Sequence, residues 1–576
     1  MSGTPFPALL SARRLPNLFD IAAVICIAGL IAGIVAGARA TLTPIGSLDI
    51  DTISLDPSAL PWYALRTTIR MFAALACSLL FTFTYATWAA KSERAGKILV
   101  PILDVLQSVP IIGFLTFTVA FFMSLFPGQV LGVELAAIFA IFTSQAWNMA
   151  FSMYQSLKTV PSDLTECATA FHLSSWQKFW RMEVPFAMPG LVWNTMMSMS
   201  GGWFFVVASE AVTYGSSTYK LPGIGSYVAE ALDKGDIYAV LYAIVAMMVV
   251  ILAYDQLLFR PLVAWSAKFR FEMTASAVAD DPWMLKLLRR TRLLAAVIDK
   301  VSLGMNALTG RRLARRTATA TRVARKPSRA GDYAWGAVLA LAVAAAIWEI
   351  VSYVSESLAW SDLAEAVTLG CYTMIRVIIL MILATIVWVP IGVWLGMRPK
   401  WARRAQPVAQ FLAAFPANLF FPIFVLAIVQ WDLTPNIWLT PLMVLGTQWY
   451  ILFNVIAGAS AYPGDLLEVS RNLGVGGRLW WRQVMLPGVF SYYVTGAITA
   501  SGGAWNAAIV AEVVSWKTQK ISADGLGAYI ANASALDDGM PKVVLGVAVM
   551  SVFVLLFNRL IWRPMYAYGA RRFNFS

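Results

Sequence analysis

Two glutamates, Glu166 and Glu468, each stand 19 residues ahead of a proline, Pro185 and Pro487, in polar stretches between long apolar runs. The first block begins Glu166-Cys167-Ala168, passes His172 and closes at Val184-Pro185. The second begins Glu468-Val469-Ser470, passes Gly474 and closes at Leu486-Pro487. A carboxylate in such a block accepts hydrogen bonds from a partner surface or from its own loop's backbone, and the small Ala168 and Ser470 let a partner approach closely. A second matched set lies in or beside the apolar runs: Arg70 with Arg376, and Glu210 with Glu512. Ionisable groups at membrane depth mark pathways or bond a neighbouring backbone at the interface. The sequence shows no metal cluster, no nucleophile–base arrangement and no GxxxxGK[ST] phosphate loop beside them, so it does not read as an enzyme. The chemistry on offer is recognition and ion pairing.

Each block needs a helix-turn-helix to position it. Pro161, Ser162 and Asp163 form a start signal, with the acid at the positive helix end. A short helix through Glu166 and Ala170 follows, then a break, then a second helix that stops near Pro185. In the second block Pro463-Gly464-Asp465 opens the unit, and Gly474 with Gly476 supplies the break.

The rest of the chain is too apolar for a soluble domain. Of 576 residues 59% are hydrophobic and 13% charged, against about 45–50% and about 25% for soluble proteins. Stretches long enough to cross a bilayer, about 20 residues each, recur twelve times: about 19–38, 71–90, 100–125, 131–154, 189–212 and 237–259, then 333–354, 374–396, 408–429, 437–459, 491–514 and 543–562. The fold class expected is all-α and polytopic, because each spanning backbone must satisfy its own hydrogen bonds in lipid.

The net charge of +13 suggests a nucleic-acid ligand until its distribution is read. Basic residues fill alternate loops (Arg13, Arg14; Lys91, Arg94, Lys97; Lys158, Lys178, Arg181), while 42–62 carries Asp49, Asp51 and Asp56 without Lys or Arg. That is the positive-inside pattern. It puts both termini, both blocks and the central linker in the cytoplasm and removes any need for nucleic acid. The four cysteines are scattered without metal spacing, and His172 is the only histidine.

The halves align over far more than the blocks. Thr67 and Arg70 match Thr373 and Arg376; Pro101 and Pro110 match Pro407 and Pro416. Gly201-Gly202 matches Gly502-Gly503, Glu210 matches Glu512, and Gly223, Gly225 and Tyr227 match Gly525, Gly527 and Tyr529. An even number of spans per half makes the repeats parallel, related by a pseudo-two-fold along the membrane normal. The expected organisation is a first repeat over 1–265 with its loop at 159–187, a basic linker over 266–332, and a second repeat over 333–576 with its loop at 461–489. The linker carries 15 Lys/Arg against five Asp/Glu, and reads as a solvated tether or as a segment lying on the inner leaflet.

The blocks resemble the EAA loop of prokaryotic ABC-importer permeases: Glu-Ala-Ala, three residues, Gly, nine residues, Ile-x-Leu-Pro. The second fits at Glu468, Gly474, Val484, Leu486 and Pro487. The first fits at Glu166, Ala168, Met182, Val184 and Pro185, with His172 where the family has glycine. The proline-paired third span, the Trp-rich fifth span ending in an acid and the following Gly-x-Gly-x-Tyr look most like the nitrate/sulfonate/taurine/bicarbonate branch. The resemblance implies the type I permease fold, with two six-helix repeats fused in one chain of the bacterial inner membrane. It implies loops that act as coupling helices seated in two ATPase subunits, expected as a homodimer. Those subunits, not this chain, would bind ATP and Mg; no cofactor is expected here. A periplasmic or lipid-anchored solute-binding protein would deliver a small anionic solute.

Several residues are candidates for the translocation pathway, each with a plainer alternative. Glu210 and Glu512 line it or bond a neighbouring backbone. Gly201, Gly202, Gly502 and Gly503 contact solute or permit close helix packing. Arg70 and Arg376 attract an anion at the outer mouth or snorkel to the interface. Trp203 and Trp505 gate the path or pack. The competing class is a 6+6 secondary transporter without an ATPase.

Overall fold

The structure is a computed structural model that describes residues 53–107, 111, 113, 115–214, 217–269, 300, 304, 329–460, 462, 464–516, 519–536 and 538–572. The expected first span, most of the basic linker, Pro110 and Pro463 lie outside the described residues. In the first half, α1 is Leu60–Phe81, α2 Glu93–Leu106, α3 Leu115–Leu125 and α4 Val130–Lys158. The first block opens with α5, Ser162–Ala170, and α6 follows as Val184–Glu210. A hairpin of β1 (Ala211–Tyr214) and β2 (Ser217–Lys220) leads to α7, Ile224–Lys234, and α8, Ile237–Tyr254. In the second half, α9 is Arg329–Ser357, α10 Trp360–Gly396, α11 Pro399–Ala414, α12 Phe421–Gln430 and α13 Trp449–Ser460. The second block opens with α14, Gly464–Asn472, and α15 is Leu486–Ala511. A hairpin of β3 (Val513–Trp516) and β4 (Gln519–Ser522) leads to α16, Leu526–Ser534, and α17, Met540–Phe557.

Five described helices are long and apolar enough to cross a membrane, and up to seven spans result if each of two bent helix pairs is one span. The spans expected at 408–429 and 437–459 fall on the bent pairs: the first turns by 77° and the second by 43°. In the first of these the chain breaks beside Pro416, whose missing N–H cannot continue the ladder of α11. The chain divides into two compact units. One holds the described residues of 156–193 and 253–321; the other holds 53–155, 194–252 and 322–572 and contains most of the helices of both halves.

The prolines that close the blocks do not stop a helix. Pro185 and Pro487 sit two residues beyond the π-helical turns Phe179–Glu183 and Trp481–Met485, and the helix then runs on as α6 and α15. The same arrangement precedes Pro261 and Pro564, after the π turns Asp255–Phe259 and Asn558–Trp562. A proline ring collides with the carbonyl four residues back. In all four places that carbonyl lies within the π turn, whose wider spacing makes room. The second helix of each block is therefore the start of a long helix, not a separate stub.

The break inside each block is a Schellman turn. In the first, the Leu173 N–H donates to the Ala168 carbonyl at 3.0 Å and the His172 N–H to the Thr169 carbonyl at 2.9 Å. In the second, the Val475 N–H reaches Ser470 at 2.9 Å and the Gly474 N–H reaches Arg471 at 3.0 Å. His172 adopts φ 49° and Gly474 φ 65°. The histidine thus makes the turn that glycine makes, at a cost of about 1–2 kcal/mol for a left-handed residue with a Cβ. The next helix of the first block carries a capping box between Ser174 and Gln177, an interaction that the glycine cap Gly476 of the second block lacks. His172→Gly should slow amide exchange at Leu173 severalfold, and Gly474→Ala should speed it at Val475 by about fivefold, the equivalent of about 1 kcal/mol. Hydrogen exchange read by mass spectrometry checks both.

Candidate functional site

Two kinds of site emerge: a buried carboxylate clamp in each half, and the two blocks. The first clamp starts from Glu210, the last residue of α6, which is fully buried. A buried carboxylate is tolerable only when each oxygen is bonded. Its Oε1 accepts from Thr67 Oγ1 at 2.7 Å and Arg70 Nη1 at 2.7 Å, and its Oε2 accepts from the Gly225 N–H at 2.6 Å. That last donor belongs to the first turn of α7, where the helix dipole also favours negative charge. Thr67 Oγ1 accepts in turn from the Ile224 N–H at 3.0 Å. The second clamp repeats the plan. Glu512 Oε1 accepts from Thr373 Oγ1 at 2.8 Å and Arg376 Nη1 at 3.1 Å, Oε2 accepts from the Ala528 N–H at 3.1 Å, and the Leu526 N–H donates to Thr373 at 2.9 Å.

This geometry accounts for the repeated Gly-x-Gly. A Cβ on Gly223 would sit 2.3 Å from the Glu210 carboxylate, and one on Gly525 2.2 Å from that of Glu512. A Cβ on Gly225 would meet the Val207 carbonyl at 2.2 Å, and one on Gly527 the Ala508 carbonyl at 2.5 Å. Only bare backbone lets the helix start reach the acid.

The halves differ in what else holds the arginine. Arg70 is bound by Glu134, which takes its Nε at 2.6 Å and Nη2 at 2.8 Å and also pairs with Arg66. All four charged side chains are at most 4% exposed. Arg376 instead donates to Asn436 Oδ1 at 3.0 Å, with its side chain 12% exposed. Arg70 does not snorkel as the alternative reading had it: two carboxylates hold it buried inside the first half. Glu134 and Arg66 were not singled out from sequence, although Glu134 stands alone in an apolar run and the rule applied to Glu210 identifies it equally well.

The remaining pathway candidates scatter. Trp203 and Trp505 are fully buried, and Trp505 packs on Phe553 and Phe557 of α17, inside the second half. Gly202 and Gly503 are packing glycines, whose added Cβ atoms would meet Met71 Cε at 2.7 Å and Thr447 Cγ2 at 2.4 Å. A Cβ on Gly201 would lie 3.1 Å from the Tyr450 hydroxyl of the other half, and nothing lies within 4 Å of a Cβ on Gly502. The halves meet through Gln410 Nε2 to Met196 Sδ at 2.8 Å, Asn418 Nδ2 to the Phe204 carbonyl at 3.2 Å, and the Ile111 N–H to Asn506 Oδ1 at 2.6 Å. Gly201 and these amides lie where the halves meet; the clamp residues bond within their own halves.

In the first block Glu166 is exposed and lines an open cavity of about 390 Å³ with Thr165, Thr169, Ala170 and Lys178. Glu468 is likewise exposed, whereas Ala168 and Ser470 are buried. These two small residues pack inward beneath the turn instead of facing a partner. The residue that ends each first helix is outward and apolar: Phe171 is 78% exposed and Leu473 74%. Among the described residues no group of His, Cys, Asp and Glu could hold a metal ion.

The family model for the binding-protein-dependent transport system inner membrane component matches this chain twice, over residues 82–259 and 388–561. The chain belongs to that family. It is an ABC-importer-type permease with two units fused, multi-pass and helical. A glycine betaine/carnitine transport permease protein of Listeria monocytogenes is 30% identical over 171 residues, 30% of this chain and 55% of the relative. A glycine betaine/proline betaine transport system permease protein of Escherichia coli is 28% identical over 186 residues, 32% and 49% of the two chains. A bicarbonate transport system permease protein of Synechocystis is 27% identical over 177 residues, 31% and 60%. The chain spans about half the length of the first two relatives and three fifths of the third.

Two measurements test the clamp and its surroundings. Arg70→Met takes the only arginine from Glu210 and leaves Glu134 with Arg66 alone, and should cost about 3–5 kcal/mol, while Arg376→Met, at a wetter site with one carboxylate, should cost less than half as much; thermal unfolding in detergent ranks them. Beside the first hairpin, Lys220 Nζ lies 2.7 Å from both Glu230 and Asp233. Burial pushes Glu230 up, but hydrogen bonds from Lys220 and Lys234 outweigh it and hold the carboxyl below its usual 4.5. Burial pulls Lys220 down, and its two acids outweigh that, raising it above its usual 10.5. A depressed acid stabilises above its unfolded pKa, and a raised base below its own. Protection of the hairpin amides should therefore hold between about pH 4.5 and 10.5, falling as pH drops below the lower bound. Glu230→Gln should flatten the acid limb in hydrogen exchange.

Proposed function

We propose that this chain is the membrane subunit of an ATP-driven importer for a small anionic solute, powered by separate ATPase subunits that dock on the two blocks. The observation that carries the docking is the pair of identical Schellman turns, each presenting an exposed glutamate and an exposed large apolar side chain at equivalent positions. A large apolar side chain beside a carboxylate, repeated at matched positions, offers a partner surface both an apolar anchor and a hydrogen-bond acceptor. Glu166 and Glu468 would bond the partner surface, with Phe171 and Leu473 filling its clefts. Ala168, Ser470, His172 and Gly474 shape the turn, and Pro185 and Pro487 mark where it joins the spanning helix. Two equivalent blocks call for two ATPase subunits, a homodimer being the simplest. ATP and Mg would be bound by those subunits, and a periplasmic or lipid-anchored binding protein would present the solute. The repeats would occupy 1–265 and 333–576, joined by the linker 266–332, with both termini in the cytoplasm.

The solute class is supported by the described intramembrane acids. Glu134, Glu210 and Glu512 are each bonded to arginine, so these three buried acids offer no uncompensated charge to a cation. Relatives named for bicarbonate transport fit an oxyanion, and those named for betaine transport favour a second reading, a zwitterion whose carboxylate is recognised in the same way. Uptake of nitrate, bicarbonate and glycine betaine into vesicles holding the full complex separates the two.

The docking test is direct. Phe171→Asp and Leu473→Asp should each reduce co-purification of the ATPase severalfold, and together abolish ATP-dependent uptake while leaving the thermal unfolding of this chain unchanged. A double variant that still recovers two ATPase copies per chain would overturn the assignment.

A further inference from the structure

The end of α10 carries a cluster that neither the blocks nor the clamps use. Trp394 and Trp401 are 47% and 50% exposed, with ring centroids 6.0 Å apart. Arg398 lies over the Trp394 ring at 4.5 Å, and Arg404 lies 5.9 Å from the Trp401 ring centroid. Lys400 is exposed between them. A guanidinium held against an indole is pre-ordered and still presents N–H groups at its edge, the geometry that grips a phosphate. From Ala366 to Trp431 the sequence contains no Asp or Glu, and among the described residues Arg398, Lys400 and Arg404 pair with no carboxylate. Among the described residues these three cations have no counter-charge.

Their position says what supplies one. Leu383, Val387, Ile391 and Trp394 follow the three- and four-residue steps of one helix face, and all are exposed. This is an apolar stripe on a spanning helix, and Arg398 continues it by one more turn. Acyl chains belong on the stripe, indoles at the interface and cations at headgroup depth. The first half has the corresponding indole, Trp88, 62% exposed, but there Glu93 stands among Lys91, Arg94 and Lys97 and no second tryptophan follows.

We propose that Trp394, Arg398, Lys400, Trp401 and Arg404 form a binding site for the phosphate headgroup of an anionic phospholipid, with its acyl chains along Val387 and Ile391. The site is specific to the second half. The purified full chain, titrated with phosphatidylglycerol or phosphatidylcholine and read by native mass spectrometry, tests it. Wild type should retain phosphatidylglycerol in preference to phosphatidylcholine. The Arg398→Gln/Arg404→Gln double variant should retain it about tenfold less well, with phosphatidylcholine unaffected. Trp394→Ala, a change at a half-exposed surface position, gives an independent arm with an expected loss of a few fold. Undiminished phosphatidylglycerol retention in the double variant or in Trp394→Ala overturns the proposal. So does displacement of the lipid from wild type by millimolar inorganic phosphate, which would make free phosphate the ligand.

Discussion

Everything near the ends of α6 and α15 follows from one constraint: a glutamate with almost no solvent contact must have its charge met by the protein. Coulomb attraction to a single arginine does not repay the desolvation of both partners. The chain therefore adds a threonine hydroxyl and a backbone N–H from the first turn of the next helix. Those additions dictate sequence far from the glutamate. The threonine must lie one turn from the arginine on α1 or α10. The helix start must come within hydrogen-bond reach, which excludes any Cβ at Gly223 and Gly525. The hairpin between acid and helix must then return the chain across a fixed gap. It is closed by the Leu221 and Ala523 N–H groups, each 2.8 Å from the carbonyl of Glu210 or Glu512. One buried charge thus explains four separately repeated signatures.

Duplication preserved the backbone device and let the side chains around it diverge. Glu134 of the first half has Asn436 as its counterpart, so a doubly paired, dry arginine in one copy is a partly wet one in the other. Lys220 and Glu230 correspond to Ser522 and Asn532, which removes the charge cluster beside the second hairpin. A network of four charges at most 4% exposed holds its members in one arrangement, because displacing any of them takes a charge partner from another. A threonine–arginine–glutamate set backed by an amide is looser. The two halves are therefore built alike and stiffened unequally.

Sequence made the helical class, the duplication and both blocks legible, because hydropathy and collinear repeats survive divergence of individual side chains. It made Glu210 and Glu512 conspicuous but not their partners. Which of two fates a buried arginine meets, lipid interface or ion pair, depends on what the neighbouring helix presents, and Glu134 reaches Arg70 across 64 positions of chain. The prolines misled for a local reason. A proline inside a helical pattern normally ends it, and a widened turn leaves no mark in hydropathy. Ala168 and Ser470 misled differently: their small size serves packing beneath the turn, a requirement that spacing alone does not distinguish from partner contact. The replacement of glycine by histidine at position 172 looked like a departure in structure, yet the backbone follows the same path.

The continuity across the π turn has a mechanical consequence, clearest in the second half. From the turn at Gly474 the chain passes through Trp481–Met485 into α15, and α15 ends against Glu512. Its 26 residues span about 39 Å at 1.5 Å per residue, so the second block and the clamp occupy the two ends of a single rod. A helix stopped at Pro487 would put a flexible joint between them, and loop movement would be absorbed locally. With the ring accommodated inside a continuous helix, a push on the loop arrives at the far end as tilt or translation. There the clamp ties the rod to α10 through Thr373 and Arg376 and to the start of α16 through the Ala528 N–H. The proline that closes the block is compatible with force transmission because the turn before it is wide.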